Sequence, residues 1–166
     1  MKKSSVLTRV ALVSALTVVV LVFGGLFPSA AISLAALAGL FPAVLVKEHG
    51  YSYAFISYLV AGFLALFLSP VKSSVALFVM PFGLYQIIRQ WFDGKFHPVL
   101  SYLFKFLFAN LTFFFLFFCL TKLFLSVVPS FLHSFVLTWV AYLIAFVIYD
   151  FAGNEWLKFY IARIRH

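Results

Sequence analysis

His49, His97, His133 and His166 are the only histidines of the chain, and no two stand at the i, i+4 spacing that lets one helix face offer two imidazoles to a metal ion. Metal-assisted hydrolysis wants that pair with a glutamate beside it. The four acids, Glu48, Asp93, Asp150 and Glu155, fall near the ends of apolar runs and never in the middle of one. Serine and threonine are plentiful, but none has a base close in sequence to activate it. Cys119 stands alone, which excludes an intrachain disulfide and a thiolate metal set. Groups distant in sequence can still meet in space. The pattern nonetheless points away from an enzyme, and no catalytic residue, metal or cofactor is expected.

The polar residues concentrate in one stretch, "PFGLYQIIRQWFDGKFHPVLSYLFKF", residues 81–106, which carries Arg89, Asp93, Lys95 and Lys105. Pro81 removes a backbone donor and predicts a kink that frees the carbonyl near Leu77. Tyr85 and Arg89 lie one turn apart and share a face. Arg89 has two readings: a side chain snorkelling to the headgroups, or a structural charge within the bundle. Lys105 sits deeper in its apolar run, with Asn110 beyond it. Either that run begins in the interface or Lys105 has an internal partner. Asp150 is the natural candidate, and it is expected to pair with Arg89 or Lys105.

The elements that must hold these residues are membrane spans. Of 166 residues, 66% are hydrophobic and 10% charged, whereas a soluble domain is about a quarter charged. Long unbroken apolar runs argue against a β-barrel. Breaks at Pro28-Ser29, Lys47–Gly50, Ser69-Pro70, Asp93-Gly94, Pro129-Ser130 and Gly153-Asn154 leave six segments, near 7–27, 30–46, 51–69, 73–92, 99–126 and 130–152. Each approaches the roughly 20 residues a spanning helix needs. The first run is longer than a signal-peptide core and is taken as a retained helix. The fold class expected is therefore an all-α membrane protein, a six-helix bundle over 1–153. Residues 154–166 follow as an amphipathic tail lying in the inner interface, with Trp156, Leu157, Tyr160, Ile161 and Ile164 on one side and Lys158 and Arg165 on the other.

Charge sets the orientation. With the N-terminus cytoplasmic, ten of the twelve Lys and Arg fall on the inner side, leaving only Lys72 and Lys122 outside. That bias places both termini in the cytoplasm. The net charge of +8 sits at segment ends, as anionic-lipid contacts and topology signals do, so lipid is the expected partner and nucleic acid is not. On the outer side Ser29, Lys72, Ser73, Ser74 and His133, with Ser69, Lys122, Ser126 and Ser130, offer a polar set for a ligand, although loops are polar in any case. The first segment, "RVALVSALTVVV", places Ala11 and Ala15 four apart, a spacing that lets another backbone approach closely. The second is rich in small residues and suits the interior. The fifth, with Phe113 to Phe115 and Phe117-Phe118, is bulky and suits lipid.

The Ala11/Ala15 pair on a cytoplasm-first helix of a short six-helix chain resembles the substrate-binding S component of energy-coupling factor (ECF) transporters. "FGLYQIIRQ" is similar to an "FGxYPxxK"-like segment of an S-component-like subgroup, with Gln86 in place of proline and Arg89 in place of lysine. "YLFKFLFANL" resembles its following Lys…Asn segment, giving Lys105 and Asn110. The resemblance implies a protein of the bacterial cell membrane that captures a small micronutrient at the outer face. Its implied partners are a membrane coupling subunit, contacted through Ala11 and Ala15, and two cytoplasmic ATPases. The chain does not match the ligand motifs of the riboflavin, thiamine, biotin or folate S components, so its substrate is unassigned. Arg89, Lys105 and Asp150 would be inner-face structural charges.

A second reading is a non-catalytic scaffold of other membrane proteins, like the MreD-like proteins of cell-wall elongation. An outer pocket lined by aromatics and Ser29, Ser73 or His133 would favour transport. A solid bundle would favour the scaffold, and a polar cluster at membrane depth a small intramembrane enzyme.

Overall fold

A computed structural model of the chain describes residues 3–123 and 135–164, and almost all of them are helical, with no strand among them. The elements are α1 (Lys3–Leu26), a 3-10 turn (Pro28–Ala30), α2 (Ala31–His49), α3 (Tyr51–Leu68), α4 (Lys72–Leu77), a π-helical segment (Phe78–Leu84), α5 (Tyr85–Lys95), α6 (Pro98–Leu123) and α7 (Phe135–Ile164). Among the described residues five helices, α1, α2, α3, α6 and α7, are long and apolar enough to cross a membrane. This is a multi-pass membrane protein. The sequence predicts six segments with the fourth kinked at Pro81, and it is the fourth that differs from a single α-helix. Residues 72–95 are helical throughout, but the π segment divides them and the polar α5 carries the lower half.

The chain forms two units, residues 1–95 and 96–166. In the first, side-chain volume decides which face turns inward. α3 packs Ala54, Ser57, Tyr58, Ala61, Gly62 and Ala65 into the core while Phe55, Ile56, Leu59, Phe63 and Phe67 stay exposed. Lipid tails are as apolar as leucine, so in a bilayer close backbone approach rather than hydrophobic burial joins helices. α2 follows the same rule. Half of its apolar window (50%) is buried, against 11% of α7's, and Ala35, Ala38 and Gly39 line its inner face. Of its expected interior residues, Ser29 and Ser33 are instead exposed. α1 completes the core with Val10, Val18 and Leu21.

Two backbone features shape this unit. Gly50 ends α2 at φ 92° and ψ 173°, donating its N–H to the carbonyls of Leu45 and Val46. This conformation is essentially reserved for glycine, and it lets α3 start one residue later. The second feature is the π segment around Pro81. Proline cannot donate to Leu77, and the chain answers the lost bond by widening the turn over seven residues rather than by a simple kink. The Tyr58 hydroxyl donates to the Val79 carbonyl at 2.8 Å, binding the widened turn to α3. Gly83 is needed here, since a Cβ would stand 2.9 Å from the Phe78 ring and 3.0 Å from that of Tyr58.

In the second unit α6 and α7 run antiparallel, as the pairs Lys105–Asp150, Thr112–Tyr142 and Phe117–Phe135 require. The bulky face expected to meet lipid is divided. Phe114, Phe115 and Phe118 are exposed, but Phe113 is buried and packs against Phe135 and Tyr142. α7 continues without a break through Gly153 and Asn154, so the expected separate tail is the last part of the same helix. One glycine within a helix costs only about 1 kcal/mol, and Gly153 is buried.

Candidate functional site

The largest buried polar side chains of the first unit, Gln86, Arg89 and Gln90, stand together on α5. Tyr85, Gln86, Arg89 and Gln90 are all buried, and the hydrophobic residues of α5 are confined largely to its other positions. Gln86, Arg89 and Gln90 stand at i, i+3 and i+4 and so share a face. The Arg89 side chain is 2% exposed, with its Nε 3.7 Å from the Asp93 carboxylate one turn on. The snorkelling reading of Arg89 is thus corrected: the guanidinium points into the protein. Gln90 crosses to α2 and donates from Nε2 to the Ala43 carbonyl at 2.9 Å, and more weakly to the Gln86 carbonyl at 3.3 Å.

Gln86 differs from its neighbours. Its side chain is fully buried, yet among the described residues neither its amide oxygen nor its amide nitrogen has a hydrogen-bond partner. The Gln90 amide oxygen is in the same condition. A buried polar group without a partner costs about 1–3 kcal/mol. The sequence marked Gln86 only as the residue standing where the segment it resembles has proline. The signal that would have found the cluster is the Gln-Arg-Gln spacing of "QIIRQ", three polar residues at i, i+3 and i+4 with isoleucines between them.

At the end of α2, Glu48 lies 3.6 Å from the Arg9 guanidinium and 3.7 Å from His49 Nε2. The His49 ring meets Tyr53 edge-on, its centroid 6.4 Å away. Higher on α1, the hydroxyls of Ser14 and Ser57 are 2.9 Å apart, and Ser14 also donates to the Val10 carbonyl. These contacts tie α1 to α3 and α2, and neither pair is foreshadowed by spacing in the sequence.

In the second unit Lys105 and Asp150 form an ion pair at 3.6 Å, with side chains 8% and 15% exposed. Lys105 is one of the two partners expected for Asp150, and its ammonium also lies 5.2 Å from the centre of the Tyr102 ring. Asn110 accepts from the Trp139 indole at 2.9 Å, and Thr112 shares a 2.8 Å hydrogen bond with the Tyr142 hydroxyl. Three polar links thus cross the α6–α7 seam at successive levels.

The expected ligand set on the other side fares differently. Lys72 donates from Nζ to the carbonyls of Leu66 and Ser69, capping the end of α3. Ser74 is buried and donates to the Val71 carbonyl at 2.8 Å, and Ser69 donates to the same carbonyl at 3.2 Å. These residues close the α3–α4 turn. Ser29 is exposed in the 3-10 turn, and Ser73 belongs to the first turn of α4. His133, Ser126 and Ser130 lie outside the described residues. A shallow depression of about 430 Å³ on α3 is lined by Leu59, Val60, Phe63 and Leu64, none of them from the expected set.

Ala11 and Ala15 are exposed, on a flank of α1 beside the face that packs into the core. Among the described residues no group of His, Cys, Asp and Glu is placed to hold a metal ion. No protein-family model, curated protein or solved structure matches the chain.

Proposed function

We propose that this protein is the substrate-binding membrane subunit of an ATP-driven importer, of the S-component kind, in a cytoplasmic membrane with both termini inside. The observation that carries the reading is the placement of Ala11 and Ala15. Both are exposed on a helix whose Val10, Ser14, Thr17, Val18 and Leu21 are already committed to the core. Two small residues four apart leave room for another helix to approach backbone to backbone. The partner would be a membrane coupling subunit that carries two ATPases, and the role assigned to this chain is binding rather than catalysis.

The engaged state of Lys72, Ser69 and Ser74 favours a second reading, a scaffold without a ligand pocket on that side. Affinity purification in mild detergent from the native host separates the two. On the first reading a coupling subunit and an ATPase pair accompany the tagged chain. They are lost in the Ala11→Leu/Ala15→Leu variant, whose own elution volume and unfolding temperature stay as in the wild type. Recovery of cell-wall or other membrane enzymes in their place would establish the scaffold instead.

A further inference from the structure

The buried carboxamide of Gln86 asks for a partner that the described residues do not supply. Its oxygen needs a donor and its nitrogen needs acceptors, while the Gln90 oxygen, one turn further along the same face, needs another donor. Native proteins leave few such groups, and those that persist mark a missing water, ion or ligand. Three features narrow the choice here.

First, the groups are amides, and a glutamine side chain reads a flat edge that sets a donor next to an acceptor, as it does on adenine. Second, Arg89 on this face lies 3.7 Å from Asp93 one turn on, so the charge beside the amides is already matched by an opposite one. An uncharged occupant follows. Third, the cluster begins where the π segment ends. Tyr85 is the first α-helical residue after Leu84, and π turns recur at functional sites because the backbone there has two registers within reach.

We propose that the face of α5 carrying Gln86 and Gln90, packed against α2, is a binding site for a small uncharged molecule with a planar donor–acceptor edge. A primary carboxamide or an amino-substituted nitrogen heterocycle has that edge. Gln86 is its anchor, making the paired hydrogen bonds, and the Gln90 oxygen accepts a further one. The π segment borders the site and is the element that has to give way for the molecule to enter. This site stands apart from the importer reading, and its test contains no partner subunit.

The test is thermal unfolding of the detergent-purified full-length protein with millimolar benzamide or adenine, against benzoate and unsubstituted purine as matched controls. Benzoate replaces the amide by a charge, and purine lacks the amino donor. The expected result is a rise of a few degrees in the unfolding temperature with benzamide or adenine and none with its control. In Gln86→Leu that rise disappears, while the unfolding temperature without any probe is no lower than in the wild type, because an unpaired buried amide has been removed. No rise with either probe, or a rise that survives in Gln86→Leu, would overturn the proposal. So would a fall of several degrees in Gln86→Leu without a probe, which would mean that the amide already has its partner within the protein.

Discussion

Lys105 and Asp150 are largely shielded from water and lie 3.6 Å apart. Removing one partner of a buried ion pair leaves an uncompensated charge and costs about 3–5 kcal/mol, whereas losing both together costs far less. Lys105→Ala and Asp150→Ala are therefore each expected to lower the unfolding temperature more than the double variant does. Simple additivity in a double-mutant cycle would remove the pair as an energetic unit. Gly83 gives a second residue-level expectation. Gly83→Ala drives a methyl to 2.9 Å from the Phe78 ring and 3.0 Å from the Phe78 carbonyl, and overpacking of this kind costs about 1–3 kcal/mol. Denaturant unfolding in detergent would measure it, and an unchanged midpoint would show that the π segment yields easily.

At the level of elements, Gly50 joins α2 to α3 with open space where its Cβ would be. Any penalty for Gly50→Ala is thus backbone strain alone, about 1–3 kcal/mol, read as a shift in the same unfolding midpoint. Most helix limits were legible in the sequence because proline, glycine and charge interrupt the apolar runs at 28, 50, 70 and 94. Two were not. Pro81 foretells a disturbed helix, but whether the turn tightens, kinks or widens depends on contacts from other elements, such as the Tyr58 hydroxyl of α3 donating to the Val79 carbonyl inside the widened turn. Gly153-Asn154 looks like a stop, yet α7 runs through it, since burial of Gly153 outweighs a weak local preference. The Lys105–Asp150 pair could be foreseen because charges in apolar runs need partners. The buried amides of α5 could not, because glutamine carries no charge to make its burial conspicuous.

For the whole molecule, the number of crossings decides which side the C-terminus occupies. If α4, the π segment and α5 together cross, both termini share a side, which is the arrangement expected from the distribution of Lys and Arg. If they do not, five crossings separate them. A C-terminal green fluorescent protein fusion is expected to fluoresce and an alkaline phosphatase fusion to be inactive. The reverse pair of results would show that the divided helix stays on one side and would withdraw the charge-based orientation.

The π segment also sets the rotational phase of everything that follows it. Each residue of an α-helix turns the chain by about 100°. A residue in the wider π turn rotates the chain by less, so the segment holds about one residue more than an α-helix needs for the same rotation. Deleting one residue between Phe78 and Leu84 would let the widened turn relax to ordinary helix with α5 still in phase, and Gln86, Arg89 and Gln90 would keep their side toward α2. The same deletion within α4, which has no slack to give up, would turn α5 by about 100° and swing that polar face toward the hydrocarbon. Chain length in this helix is thus forgiving at one place and unforgiving beside it.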